Sequence, residues 1–488
     1  MRNNPSLLVM FLAIATFGGS AAIHSAERTE TFDREPNWEG HNHRATQPAP
    51  RKVKQDFGYS PETNHAGGGK GEIGGFIAAA AEPAYYATKI ASATFDMPLT
   101  ASGTFSCEDR PFHVLLGFFN SGTLNEWRTP NTIALRLNGR GDKLFAYVEY
   151  ATAKWKAGGD GPLGFASVTN PATGRAEPRG FPAKGAIHRW SLAYDPSGND
   201  GGGIITAVID DQTAICHLSP GHKLEGATFN RFGLLPVMKS ADDGGTLWLD
   251  DVKVSDRLFD GSTAPGWEGF QNRREYETTM IRPRFDCGFS PTHFAGGAKA
   301  GELGGVLFRG DCRYPSKMAY YADRLDPLSL DRPLKAGGKI VLRRAVSDSG
   351  VLIGFFDSRR SSVSNPSQDS GLPRDFFGVS TDAPSREGFY LAPAYRLAGD
   401  AHGGAGDQSP LYLYPDGKPH DWTFRYEPNA SGDGLITVTL DGHAVTMPVS
   451  RESRASGAQF NRFGIITPWV DGNSQTIYFD DLTYTSGH

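Results

Sequence analysis

The chain has 488 residues, 39% of them hydrophobic and 21% charged, with a net charge of −5. That length exceeds what one hydrophobic core usually organises, so two domains are expected, and the acidic balance excludes general nucleic-acid binding, which needs a basic footprint. With 60 Gly and 32 Pro the chain is punctuated too often for long helices, which leaves many short strands joined by turns.

Residues 1–26 carry the pattern of a secretory signal peptide: Arg2, the apolar run SLLVMFLAIATFGG, then the small-residue exit SAAIHSA. The run is too short to span a bilayer comfortably, and no later window approaches ~20 apolar residues. A secreted mature chain without a transmembrane anchor, extracellular or periplasmic, is therefore expected. Export would place the four cysteines where disulfides persist. Cys107–Cys216 and Cys287–Cys312 are the simplest pairing, with buried thiols as the alternative. No spacing of Cys and His suits zinc.

Beyond the signal, NWEG (37–40), DFGYSP (56–61), GEIGG (71–75), PAYYA (83–87) and LGFFNS (116–121) precede a strongly alternating stretch at 132–151. Then come HRWSLAY, a Pro/Gly/Asn/Asp turn and GIITAVID, which read as a β-hairpin. FNRFG (229–233) and a closing strand, TLWLDDVKVS, complete the series. Almost every one of these phrases recurs: GWEG at 266–269, DCGFSP at 286–291, GELGG at 301–305, IGFFDS at 353–358, FNRFG at 460–464 and IYFDD at 477–481. Asp56 and Asp286 are 230 residues apart, as are Asp250 and Asp480. A period this long marks a duplicated globule and not a solenoid unit. The expected fold is all-β, two tandem jelly-roll sandwiches at 31–258 and 259–488.

Residues matched in both copies are expected to serve the scaffold. Trp38/Trp267, Tyr85/Tyr320 and Trp190/Trp422 read as packing residues, Glu72/Glu302 as turn caps, and His188/His420 as structural histidines. The copies part at 128–160, where six basic residues face three acidic ones, against five and five at 359–400. Strand alternation puts Arg136 and Asn138 on one face of 132–138, and Tyr147 and Glu149 on one face of the return strand. With the register that joins those faces, the four form a polar-aromatic surface; a one-residue slip would reverse them.

The hairpin W-x-x-x-Y-x-P…G-x-I/L-x-V-x-x-D and the terminal strand with paired Asp resemble the concanavalin A-like lectin/glucanase superfamily, of LamG-like jelly rolls, in both halves of the chain. The resemblance implies carbohydrate recognition on a concave sheet face. It also implies a structural calcium near a late-strand carboxylate, Asp250 and Asp480, with Glu39 and Glu268 as companions. A polysaccharide, acidic or neutral, is the expected partner. Arg136, Asn138, Tyr147 and Glu149 form the candidate reactive set, with Arg128, Asn131, Arg140, Lys154, Trp155, Arg386, Tyr390, Tyr395 and Arg396 as further ligand contacts. Arginine suits a carboxylate or sulfate, and aromatics suit sugar faces.

Three functions fit: a glycan-binding protein, a polysaccharide lyase or hydrolase, and an extracellular structural or adhesion protein. A lyase acting on a uronate needs a cationic or amide group to neutralise the carboxylate, and a base for the α-proton. Arg136, Asn138 and Tyr147 supply those types. A hydrolase needs paired carboxylates, and the E-x-D-x-x-E strand motif is absent, so lyase ranks above hydrolase. No P-loop, dinucleotide fingerprint or nucleophile elbow occurs, so no nucleotide or organic cofactor is expected.

Overall fold

The computed structural model describes residues 26–44, 49–107, 112–311, 314–363, 371–384, 386–404, 411–468 and 472–487. Residues 1–25 of the candidate signal segment (1–26) and Cys312 lie outside them. Among the described residues no helix is long and apolar enough to cross a membrane.

The chain begins with two short strands, β1 (Ala26–Glu30) and β2 (Glu39–His41). A long antiparallel series follows: β3 (Arg51–Ser60), β4 (Glu72–Ala78), β5 (Tyr85–Thr94), β6 (Leu99–Cys107), β7 (Phe112–Phe119), β8 (Thr132–Arg140), β9 (Lys143–Ala151) and β10 (Ala157–Asp160). One sheet runs β10-β9-β8-β7, strand 228–236, β5, strand 268–270. Facing it, a second sheet runs 212–217, 204–209, 187–195, β6, 244–254, β4, β3, 273–278. The apolar alternates of both sheets meet between them, among them Phe105, Leu135, Val148, Trp190 and Leu249. Two further sheets, built mainly from residues 285–487, enclose an equivalent core around Ile340, Phe355, Trp422 and Phe479. The all-β, two-sandwich architecture is thus the one expected.

Local chemistry explains the hairpins. Arg140 pairs with Lys143 across Gly141-Asp142, and Gly141 takes φ +63°, the left-handed geometry a tight hairpin turn requires. Leu440 and His443 pair across Asp441-Gly442, both at positive φ. The shared histidines hold equivalent turns: His188 Nδ1 lies 2.7 Å from Asp210, in the turn between Ile209 and Gln212, and its Nε2 2.7 Å from Pro182 O, while His420 Nδ1 lies 2.6 Å from Asp441. Glu72 caps its loop by accepting from the amides of His65 and Ala66, and Glu302 does the same for Phe294 and Ala295.

The break between the sandwiches does not fall at 258/259. Strand 268–270 pairs with β5, strand 273–278 pairs with β3, and Phe259 and Trp267 pack on the first core. Conversely β1 pairs with strand 474–487, β2 pairs with strand 320–328, and Phe32 and Trp38 lie in the second core. Each FD…WEG segment therefore completes the copy that it does not directly precede by the repeat's own phase. The physical reason is the edge beside β5 and its counterpart 320–328: each needs one more strand, and the two segments, FDREPNWEG (32–40) and FDGSTAPGWEG (259–269), end in the same WEG that can supply it.

Of the two readings for the cysteines, the described ones follow the second, buried thiols. Cys107 and Cys216 are buried and no disulfide joins them; Cys216 Sγ rests 3.7 Å from His217 O. Cys287 is a fully buried thiol, its pKa pushed up to about 12 by burial.

Candidate ligand groove between the sandwiches

The β8–β9 register pairs Arg136 with Tyr147, Ala134 with Glu149 and Asn138 with Phe145. Since Ile133, Leu135, Leu137, Leu144, Ala146 and Val148 all enter the core, period-two alternation sends Arg136, Asn138, Tyr147 and Glu149 to the outer face. The four residues singled out in the sequence do share one surface. Glu149 accepts from Arg128 Nε at 2.6 Å and from Arg136 Nε at 2.7 Å, one arginine on each oxygen. The Arg136 guanidinium lies 3.7 Å from the Tyr147 ring centroid, and both arginines lie over Trp127, at 5.2 and 5.4 Å. Burial pulls the Arg128 pKa down, but Glu149 outweighs it and holds the group above its usual value.

A cavity of about 320 Å³ opens here, lined by Arg128, Arg136, Tyr147, Glu149, the Gly158–Gly161 run and Arg386 of the second sandwich. It is thus a site between the two halves. Three guanidiniums face one carboxylate already engaged by two of them, and Asp160, so the cavity favours anions. Glu149, with both oxygens held, orients the arginines.

Other candidates go elsewhere. Asn131, at φ +60°, is a loop tie: its Oδ1 accepts from Thr228 N at 2.9 Å and its Nδ2 donates to Thr123 Oγ1. Arg140 is exposed at the hairpin tip and Lys154 is exposed in the β9–β10 loop. Trp155 stacks on Tyr414 of the second sandwich at 5.5 Å, which makes it an interdomain contact. Tyr395 points into the second core, 5.9 Å from Phe377. Arg396 is buried, donating to Asp400 at 2.9 Å and to Leu372 O at 3.0 Å. Tyr390 lines a different cavity, of about 270 Å³, with Ser380, Asp382 and His402. The expected cluster of Arg386, Tyr390, Tyr395 and Arg396 is therefore dispersed, because alternation turns Tyr395 away from Tyr390 and Arg396.

Register makes the copies comparable position by position. Arg136 sits between Leu115 and Tyr147, and Ala134 between Gly117 and Glu149. In the second sandwich Ser380 sits between Leu352 and Ala392, and Gly378 between Gly354 and Ala394. Ser380, Ala392 and Ala394 thus stand where Arg136, Tyr147 and Glu149 stand in the first.

Sequence reading missed three neighbours. Trp127 supplies the platform, His113 pairs with Asn138 across β7–β8, and Lys239 lies 5.8 Å from Trp127. His113 is pushed down to about 3, by burial first and then by Lys239 and Arg136, so it is neutral in the ordinary range. Its outward position on β7 was readable from alternation; the approach of Trp127 and Lys239 was not. Missed as well was Glu126, wholly buried, whose Oε2 accepts from Ser347 N at 2.6 Å and Ser347 Oγ at 2.9 Å across the interface. Burial pushes its pKa up to about 7.

Of the calcium candidates, Glu39 bonds Tyr320, Arg324 and Arg462, and Glu268 bonds Arg231. Committed to ion pairs in the β5-type sheets, they are not companions of the aspartates. Asp250 and Asp480 are buried; in each, Oδ1 accepts from the next amide while Oδ2 has no hydrogen-bond partner. Loop glycines stand opposite, Gly68 against Asp250 and Gly297 against Asp480. Burial raises both carboxyls, Asp480 to about 6. An orphaned carboxylate oxygen in this setting suits a hard cation, although among the described residues no three His, Cys, Asp or Glu side chains gather in a metal-binding group.

No protein-family model and no curated protein matches the chain. Among solved structures it is similar to the LG4-5 domains of the mouse laminin alpha1 chain, at 10% identity and TM-score 0.24, over 91% of this chain and 98% of that one. It is similar to the Emp47p carbohydrate recognition domain at 15% identity and TM-score 0.25, over 39% of this chain and 86% of that one. The endo-beta-1,4-glucuronan lyase of the fungus Trichoderma reesei aligns at 11% identity and TM-score 0.26, over 48% of this chain and 95% of that one. At such TM-scores the fold is read from the chain's own sheets.

Proposed function

We propose that this is an exported glycan-binding protein whose interdomain groove holds an acidic saccharide. The observation that carries the reading is the pair Arg128 and Arg136, fixed by Glu149 over Tyr147 and Trp127 and joined by Arg386 from the opposite sandwich. Guanidinium donors held in place lose little freedom on meeting a carboxylate or sulfate, and such charge-assisted bonds are the strong ones. Calcium, at Asp250 and Asp480, serves stability in this reading and lies outside the groove.

Titration calorimetry with an oligouronate and a neutral oligosaccharide of equal length tests the proposal. The acidic ligand should bind and weaken with salt. Arg136→Ala should cost about 1.5–3 kcal/mol, roughly ten- to hundredfold in affinity. Equal binding of both ligands, or an unaffected Arg136→Ala, would remove the groove from consideration. The contact of Arg136 with Tyr147 supports a second reading, a lyase in which the arginine neutralises a uronate, the tyrosine as phenolate takes the α-proton, and the glycosidic oxygen leaves C4 and receives that proton from the phenol as the C4–C5 double bond forms. Tyr147→Phe would then abolish unsaturated product and leave binding nearly intact.

A further inference from the structure

A second cavity lies in the first sandwich, away from the groove, where the 255–267 segment crosses the open edge between β5 and strand 244–254. It measures about 660 Å³, and its apolar lining comes from Ile90, Val252, Val254, Phe259 and Trp267. The other copy shows what belongs there. Val254 pairs with Ala101, and Tyr484 pairs with Ala336, each four residues past the buried aspartate and after the same register shift. Phe232 pairs with Thr88, and Phe463 with Asp323. Tyr484 is therefore the counterpart of Val254, Asp323 of Thr88 and Trp38 of Trp267.

In the second sandwich this place is filled. The Tyr484 ring is wholly buried, stacked on Phe463 at 4.2 Å and edge-on to Trp38 at 6.1 Å, and its hydroxyl donates to Asp323 at 2.7 Å. In the first sandwich an isopropyl group replaces the phenol, and both Thr88 and Trp267 line the cavity. Trp190 covers Phe232 at 6.1 Å and 10°, and Trp267 already meets Tyr86, Phe232 and Phe259, so an incoming ring meets Val254, Ile90 and the part of Trp267 that lines the cavity. Ring against ring is a favoured contact, and Thr88 Oγ1 can accept from a ring hydroxyl.

We infer that this cavity is a binding site for a small phenolic ring, the group its sister sandwich carries as Tyr484. A pyranose is the poorer occupant of the face where the phenol is placed, because Ile90, Val252 and Val254 offer its hydroxyls no partner, although Lys89, Asp256, Arg257 and Asp260 line the rest of the cavity. The site is independent of the acidic-saccharide groove, so either assignment stands or falls alone.

The test uses the full mature chain and 4-methylphenol, the tyrosine side chain as a free molecule, read by tryptophan fluorescence and by Tm. Wild type should bind with Kd on the order of 1 mM, as befits so few ligand atoms. Val254→Tyr should raise Tm without ligand and weaken 4-methylphenol binding at least tenfold, with oligouronate binding unchanged. Trp267→Leu, as a second variant checked for folding by circular dichroism, should weaken the phenol as well. Methyl glucoside in place of 4-methylphenol should give no Tm shift. Equal 4-methylphenol binding by wild type and folded Val254→Tyr, or no binding by wild type, would overturn the assignment.

Discussion

Trp38 stands in the first fifty residues, yet its substitution should loosen the second sandwich and leave the first intact. Its side chain is only 9% exposed and touches Phe32, Tyr321 and Tyr484, with centroids 5.2, 5.9 and 6.1 Å away. Removing a buried indole costs about 3–5 kcal/mol, because the cavity left behind relaxes only in part. Where exchange follows opening of the whole sandwich, that loss accelerates amide hydrogen exchange by roughly a hundred- to several-thousandfold. In Trp38→Ala the faster peptides should be those of 334–345, 460–466 and 474–487, with β6 to β9 unchanged. Trp267→Ala should do the reverse, by less, since that ring is only partly buried and packs at the margin of the first core. The measurement is hydrogen exchange read by mass spectrometry on both variants. Faster exchange in β6 to β9 for Trp38→Ala, with the second sandwich untouched, would refute the exchange of segments between copies.

Glu126→Gln should flatten the pH dependence of stability. With the folded pKa raised to about 7 from 4.5, this group's contribution is full below about pH 4.5 and is lost as pH rises through about 7. The loss is on the order of 3 kcal/mol, and urea unfolding at pH 5 and pH 8 should show it in wild type and not in the variant; an unchanged pH dependence in Glu126→Gln would count against a buried, charge-averse Glu126. Calcium should raise the wild-type Tm and chelator reverse it, while Asp480→Asn abolishes the response of the second sandwich; a response that survives in Asp480→Asn would clear Asp480 of the role. Arg386→Ala, which removes an exposed guanidinium at the groove, should weaken oligouronate binding less than Arg136→Ala and reduce its salt dependence, as calorimetry at two ionic strengths would report. A weakening larger than that of Arg136→Ala would put the anion at the rim.

The alternation in TIALRLN and LFAYVEYAT determined, without any tertiary information, that Arg136 and Asn138 share one face of their strand and Tyr147 and Glu149 one face of the next, because side-chain period is a local property; the strand register that joins the two faces was settled only in the folded sheet. The same locality made both copies legible as sandwiches, and made Glu72, Glu302, His188 and His420 legible as structural groups. What lay beyond it are contacts whose partners are hundreds of residues apart. Glu149 became an anchor for two arginines only when the 120–131 loop folded back with Arg128. Arg386 entered the groove, and Trp155 left it for Tyr414, only when the two sandwiches docked. The two segments share the WEG that pairs with each sheet edge, and nothing local in that motif says which edge it joins. Only the path of the chain decided that Trp38 completes the second core and Trp267 the first.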